Sequence, residues 1–161
     1  MAKKTRARRA NVTIDGSSNL PDIVNKLRKL AEKEVYIGSM GGDEDLAITS
    51  AVLEYGSIKG NIPARSYIGS GKRRATPIIS KVAKAGVQKV IDGNMQPEKL
   101  LQEIGEKGQE RVLKNFDKIR TPPLSPIYAK QKGTNKLLVL EEDLRDSISY
   151  VVMPKGRGNN Q

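Results

Sequence analysis

Leu20-Pro21-Asp22-Ile23-Val24-Asn25-Lys26-Leu27-Arg28-Lys29-Leu30-Ala31-Glu32-Lys33-Glu34-Val35-Tyr36-Ile37-Gly38 changes its hydrophobic period partway along. Leu20, Ile23, Val24, Leu27, Leu30 and Ala31 recur at helical spacing behind Asn19 as N-cap, with Pro21 and Asp22 suited to a first turn. Val35-Tyr36-Ile37 then reads as a short strand stopped by Gly38. A helix followed at once by a strand argues for a mixed fold.

The rest of the chain extends that pattern. Gly38 to Asp45 reads as a loop, with Asp43, Glu44 and Asp45 an acidic helix start. Ala47, Ile48, Ala51, Val52 and Tyr55 give a helix over 45–55, closed by Gly56. Ile62-Pro63-Ala64-Arg65 is extended because proline disfavours α at the residue before it, and Ser66-Tyr67-Ile68 reads as its continuation as strand. Thr76-Pro77 reads as cap and first position of a third helix through Val90, closed near Gly93. A fourth helix opens at Pro97 and carries Leu100, Leu101, Ile104, Val112, Leu113, Phe116 and Ile119 before Pro122-Pro123. Gly105 and Gly108 inside it each cost about 1 kcal/mol against alanine, which predicts close packing or a kink there. Ser125-Pro126 opens a short turn or helix through Ala129, and a polar loop follows over 130–136. Leu137 to Leu140 is too short to assign. Glu141 to Ile148 favours a short helix, and Ser149 to Met153 a terminal strand.

The expected fold class is α+β, a single domain of several amphipathic helices packed on a small mixed or antiparallel sheet, plus an extended basic N-terminal arm. Its expected limits are 1–17 for the arm, 18–154 for the domain and 155–161 for a disordered tail.

The chain has 161 residues, no Cys and no His. These absences exclude thiolate nucleophiles, disulfides, Cys/His zinc sites and imidazole bases. No apolar run is long enough for a membrane span or signal-peptide core, so a protein with no membrane contact is expected. Gly69-Ser70-Gly71-Lys72 resembles the end of a phosphate-binding loop, but Arg73 stands where Ser or Thr is needed and Ser66 where Gly is. It reads instead as a basic loop leading into the third helix. No constellation for catalysis emerges, and no enzyme activity, cofactor or metal is expected.

The formal charge is +11, and its distribution is uneven. Lys3, Lys4, Arg6, Arg8 and Arg9 crowd the first ten residues without an acid, and Lys155 and Arg157 lie near the other end. Such ends read as arms for nucleic acid or an acidic protein surface, or as solvated tails. Lys72, Arg73 and Arg74 join the arm residues as candidate contacts to DNA or an acidic partner.

Two segments carry a family resemblance. Glu54-Tyr55-Gly56, then Ile62-Pro63-Ala64-Arg65-Ser66-Tyr67-Ile68, resembles the E-[FY]-G … I-P-A-R-P-F signature of tailed-bacteriophage virion morphogenesis and tail-completion proteins. Pro123-Leu124-Ser125-Pro126, then Lys132 to Leu138 and Leu144 to Val152, is similar to the same family's C-terminal pattern, in the same order. Ser66 stands where the family usually has a second proline, and Glu142-Asp143 where it has Thr-Gly.

The resemblance implies a structural virion protein of the neck, forming a hexameric or dodecameric ring at the head-tail junction with a central passage for DNA. Its implied partners are further copies of itself, portal-connector or neck proteins, tail tube or terminator proteins, and transiently the genomic duplex. Glu54, Tyr55, Gly56, Pro63, Arg65 and Tyr67 are the candidate lock, acting within the chain or between subunits. Pro63 fixes an extended loop, Arg65 offers a guanidinium to carboxylates, and Tyr55-Gly56 ends a helix with an aromatic anchor. The competing reading is a freestanding basic nucleic-acid-binding protein, against which stands the shortage of aromatics for base stacking.

Overall fold

The structure, a computed structural model, describes residues 19–41, 44–123, 125–126, 130 and 142–156. Its elements are α1 (Leu20–Ala31), β1 (Lys33–Ser39), α2 (Glu44–Tyr55), α3 (Tyr67–Ile91), α4 (Pro97–Phe116), α5 (Glu142–Ser147) and β2 (Ile148–Pro154). The arm with Lys3, Lys4, Arg6, Arg8 and Arg9, the segment 131–141 and most of 124–129 lie outside the described residues. So do the expected turn through Ala129, most of the polar loop and the Leu137–Leu140 stretch.

The fold is α+β, with helices packed on a small antiparallel sheet. β1 and β2 pair from Lys33 opposite Pro154 to Ser39 opposite Ile148. The ladder passes through Gly38, where a stop was expected. It also continues past β2, because the Lys155 amide donates to the Glu32 carbonyl at 2.7 Å. Lys155 therefore belongs to the folded part, not to the expected tail.

α4 lies at the centre, with α3 packed along one side and the sheet on another. Glycines make both approaches possible. A Cβ on Gly105 would stand 2.2 Å from the Tyr150 ring, and one on Gly108 2.2 Å from Ile37 Cδ1. Ile37 and Tyr150 are opposite one another in the ladder, so one cross-strand pair rests on two glycines. On the α3 side, a Cβ on Gly71 would meet Val112 Cα at 2.9 Å and one on Gly86 would meet Leu100 Cδ1 at 2.0 Å. The expected close packing at Gly105 and Gly108 is what α4 uses.

The core beneath these contacts gathers Leu53, Tyr67, Val112, Phe116, Leu144 and Ile148. Tyr67 and Phe116 meet edge to face, ring centroids 5.1 Å apart and planes at 87°. α1 contributes less. It packs on α3 and α4 through half-buried Ile23, Leu27 and Leu30, and none of its residues is buried.

Two further expectations are corrected. Residues 66–68 are not strand, since α3 begins at Tyr67. Nor does the third helix start at Pro77, which lies inside a helix of 25 residues. Proline inside a helix costs about 3 kcal/mol or more by removing an i→i−4 bond. Pro77 is exposed, on the solvent side of the helix. On the opposite face Gly71, Ala75, Gly86 and Val90 are buried, and this packing holds the helix straight through.

Candidate functional site

Where α2 ends, the chain must turn back to begin α3, and the candidate residues concentrate there. Gly56 takes φ +82° and its amide donates to the Val52 carbonyl at 2.7 Å. A side chain would be doubly unfavourable at this position, because a Cβ would also lie 2.9 Å from the Ala64 nitrogen and the Ile62 oxygen. The backbone then forms a small hairpin. Ser57 and Ile62 exchange both backbone hydrogen bonds, at 2.8 and 2.9 Å, and Asn61 supplies the left-handed turn with φ +48°. Pro63 to Ser66 return as extended chain to the start of α3.

The return is fastened by three residues. Arg65 is 7% exposed, its amide donates to the Leu53 carbonyl at 2.6 Å, and its guanidinium donates to the Pro122 and Pro123 carbonyls at 3.1 and 3.3 Å. The partners are backbone carbonyls of a distant loop, where carboxylates were expected. Glu54, in the last turn of α2, accepts from Ser66 Oγ at 2.6 Å and from the Ile68 and Gly69 amides, both at 2.9 Å. It thus caps α3 from another helix. Its charge sits at the positive end of the α3 dipole. Tyr67 is fully buried, and its hydroxyl shares a 2.6 Å hydrogen bond with Ser50 Oγ. Asn115 of α4 donates to the Tyr67 carbonyl at 2.8 Å and to Ser70 Oγ at 2.6 Å.

Ser50, Ser66, Ser70, Asn115 and the two proline carbonyls were not singled out from the sequence. Only Ser66 left a signal there, as the departure from the family's proline. A proline at 66 could not donate to Glu54. Tyr55 lies outside this network and is 82% exposed, so it anchors nothing among the described residues.

Above the fastened base, the hairpin carries Ile58 fully exposed, with Tyr55 and Ile62 beside it. These side chains, with Pro63 and Pro123, line an open groove of about 970 Å³. Ile48, also exposed, adds an apolar residue on α2.

Lys72, Arg73 and Arg74 lie in α3 instead of in a loop, and all three are exposed. The Gly69–Lys72 stretch that resembles a phosphate loop is helical throughout. Some charges elsewhere are paired. Arg145 of α5 reaches Asp117 through Nε at 3.0 Å and a second nitrogen at 3.2 Å. The Asp117 carboxyl is held below its usual range, chiefly by that hydrogen bonding. Glu110 is held down to about 2 by hydrogen bonds from Lys114 and Lys107. Among the described residues no three His, Cys, Asp or Glu side chains gather as a metal site requires, and no helix is long and apolar enough to cross a membrane. No family model matches the chain, and neither does any curated protein or solved structure.

Proposed function

We propose that this chain is a structural protein of the tailed-phage neck, a non-enzymatic subunit that assembles with copies of itself into a ring at the head-tail junction. The observation that carries the reading is the hairpin at 57–62. Its base is held by Glu54, Arg65 and Tyr67, residues that bear the family resemblance, while Ile58 at its apex and Tyr55 and Ile62 beside it face solvent. Buried hydrogen bonds hold a loop in place, and the side chains so held are apolar and uncovered. Such a patch, rimmed by polar chain, is characteristic of an interaction site.

The occupant in this reading is the neighbouring subunit, joined head to tail so that the contact closes on itself and leaves a passage for DNA. Portal-connector or neck proteins and tail tube or terminator proteins would then meet the two rims of the ring. The test is the mass of the purified protein at high micromolar concentration, by light scattering and native mass spectrometry. A hexamer or dodecamer is expected, and Ile58→Ser should shift the mass toward monomer with an unchanged circular dichroism spectrum. A monomeric wild-type protein, or a ring indifferent to Ile58→Ser and Tyr55→Ser together, overturns the proposal.

A further inference from the structure

We infer that the outer face of α3 is a binding surface for the phosphate backbone of duplex DNA. Over its 25 residues α3 carries Lys72, Arg73, Arg74, Lys81, Lys84 and Lys89 and no acidic residue. All six are exposed. None of the six forms an ion pair with a described residue, whereas Lys26, Lys33, Lys107, Lys114 and Arg145 each do. α4, packed against α3, balances four acids with four bases: Glu98, Glu103, Glu106 and Glu110 against Lys99, Lys107, Arg111 and Lys114. A solvated helix that needs only solubility is served by that mixture. α3 is built otherwise.

Its charge arrangement is costly to the isolated fold. Lys72, Arg73 and Arg74 lie in the second turn, toward the positive end of the helix dipole, and Lys81 and Lys84 are like charges three apart. Neither placement aids folding, and a polyanion would relieve both. At 3.6 residues per turn, Arg73, Arg74, Lys81 and Lys84 share an arc of about 100° and span about 16 Å along the axis. Duplex DNA presents one charge per about 1.7 Å of its axis, so a span of this length faces several phosphates at once. The helix is already ordered, because its other face is seated on α4 through Gly71 and Gly86. Only side chains need to be fixed on binding.

The rest of the stripe selects the partner. Between the cations lie Pro77, Ser80 and Gln88, all exposed, and no aromatic or large aliphatic side chain. A protein interface needs a buried anchor of that kind, and single-stranded nucleic acid needs a stacking platform. A face of charge alone suits the backbone of a duplex, bound without regard to sequence. This inference stands apart from the ring, since a monomer would bind through the same face.

The experiment measures fluorescence anisotropy of a labelled random-sequence duplex with the full chain, from low to moderate salt. Wild type is compared with Arg73→Gln/Arg74→Gln/Lys81→Gln/Lys84→Gln and with the control Lys107→Gln/Lys114→Gln on α4. Each phosphate neutralised contributes about 0.9 to the slope of log affinity on log salt, so the quadruple variant should lose about 3 to 4 from that slope and at least about tenfold in affinity. The α4 control should lose far less. If the quadruple variant fails to fold, each pair, Arg73→Gln/Arg74→Gln and Lys81→Gln/Lys84→Gln, should take about half the slope. An unchanged slope overturns the inference, as does equal loss in the control, an absence of duplex binding at low salt, or binding to polyglutamate with none to the duplex.

Discussion

The chain between Leu53 and Tyr67 divides into two regions of opposite character. In the base, Glu54, Arg65, Ser66 and Tyr67 direct their polar atoms to partners, most of them buried or half-buried. Ile58 at the apex, and Tyr55 next to Glu54 at the end of α2, stand in water with apolar surface uncovered. A loop whose whole purpose was to connect two helices would need neither the buried arginine nor the exposed isoleucine. The pairing of the two separates residues that hold the fold from residues that the fold presents. Substitutions in the base should change stability, and substitutions in the apex should change association.

The sharpest way to break that division is Arg65→Ala. It removes a buried guanidinium and leaves the Pro122 and Pro123 carbonyls without their donor, which should cost about 3 kcal/mol of unfolding free energy in denaturant titration. A loss below about 1 kcal/mol would mean the base is not held by this residue. Glu54→Ala should come next, at about 2 kcal/mol, because three donors at the α3 N-terminus lose one charged acceptor. Tyr67→Phe keeps the ring contact with Phe116 and removes the hydroxyl that bonds Ser50, for a loss of about 1 kcal/mol.

Acid should loosen the ion pairs in and around α4, where Glu110 pairs within the helix and Glu98 and Asp117 reach Lys33 of β1 and Arg145 of α5. The carboxyls of Glu110, Asp117 and Glu98 all ionise below their ordinary range in the folded protein, Glu98 chiefly through its own backbone amide and then Lys33. A lowered folded value means stabilisation that is complete above the unfolded value near 4 and is lost as pH falls through the folded value. The melting temperature should therefore hold above about pH 5 and fall toward pH 2. Asp117→Asn should flatten part of that fall and cost about 0.5 kcal/mol at neutral pH, since the pair is half-exposed. The smallest effect belongs to the apex. Ile58→Ser should change the stability of the monomer by less than about 0.5 kcal/mol, and a larger loss would move Ile58 into the base.

The strongly periodic elements were legible in the sequence. α1, α4 and both strands follow from apolar spacing, with Asn19 before α1 and Pro97 opening α4, and Gly93 marks the end of α3. The two misread starts of α3 share one cause. Ser66–Ile68 looked like strand because the carboxylate that starts a helix there comes from Glu54, on another helix. Pro77 looked like a beginning because its local cost is plain, whereas the packing of Gly71 and Gly86 on α4 that outweighs it is not written nearby. The candidate site was legible for the same reason in reverse. Glu54, Arg65 and Tyr67 stand close together in a recognisable order, while Asn115 and the proline carbonyls arrive from about fifty residues away and leave no local mark.

The glycine seat on α4 also sets an order of events in folding. β1 and β2 are separated by more than a hundred residues, so their pairing closes a long loop and is entropically expensive to attempt first. α3 and α4 are joined by five residues, Asp92 to Gln96, and meet at little such cost. The bare strip at Gly105 and Gly108 exists only once α4 is helical, and without it Ile37 and Tyr150 have nowhere to rest. The sheet should accordingly form late, on a helical hairpin already in place. Its strands should then be the structure whose weakening speeds unfolding while leaving the refolding rate nearly untouched.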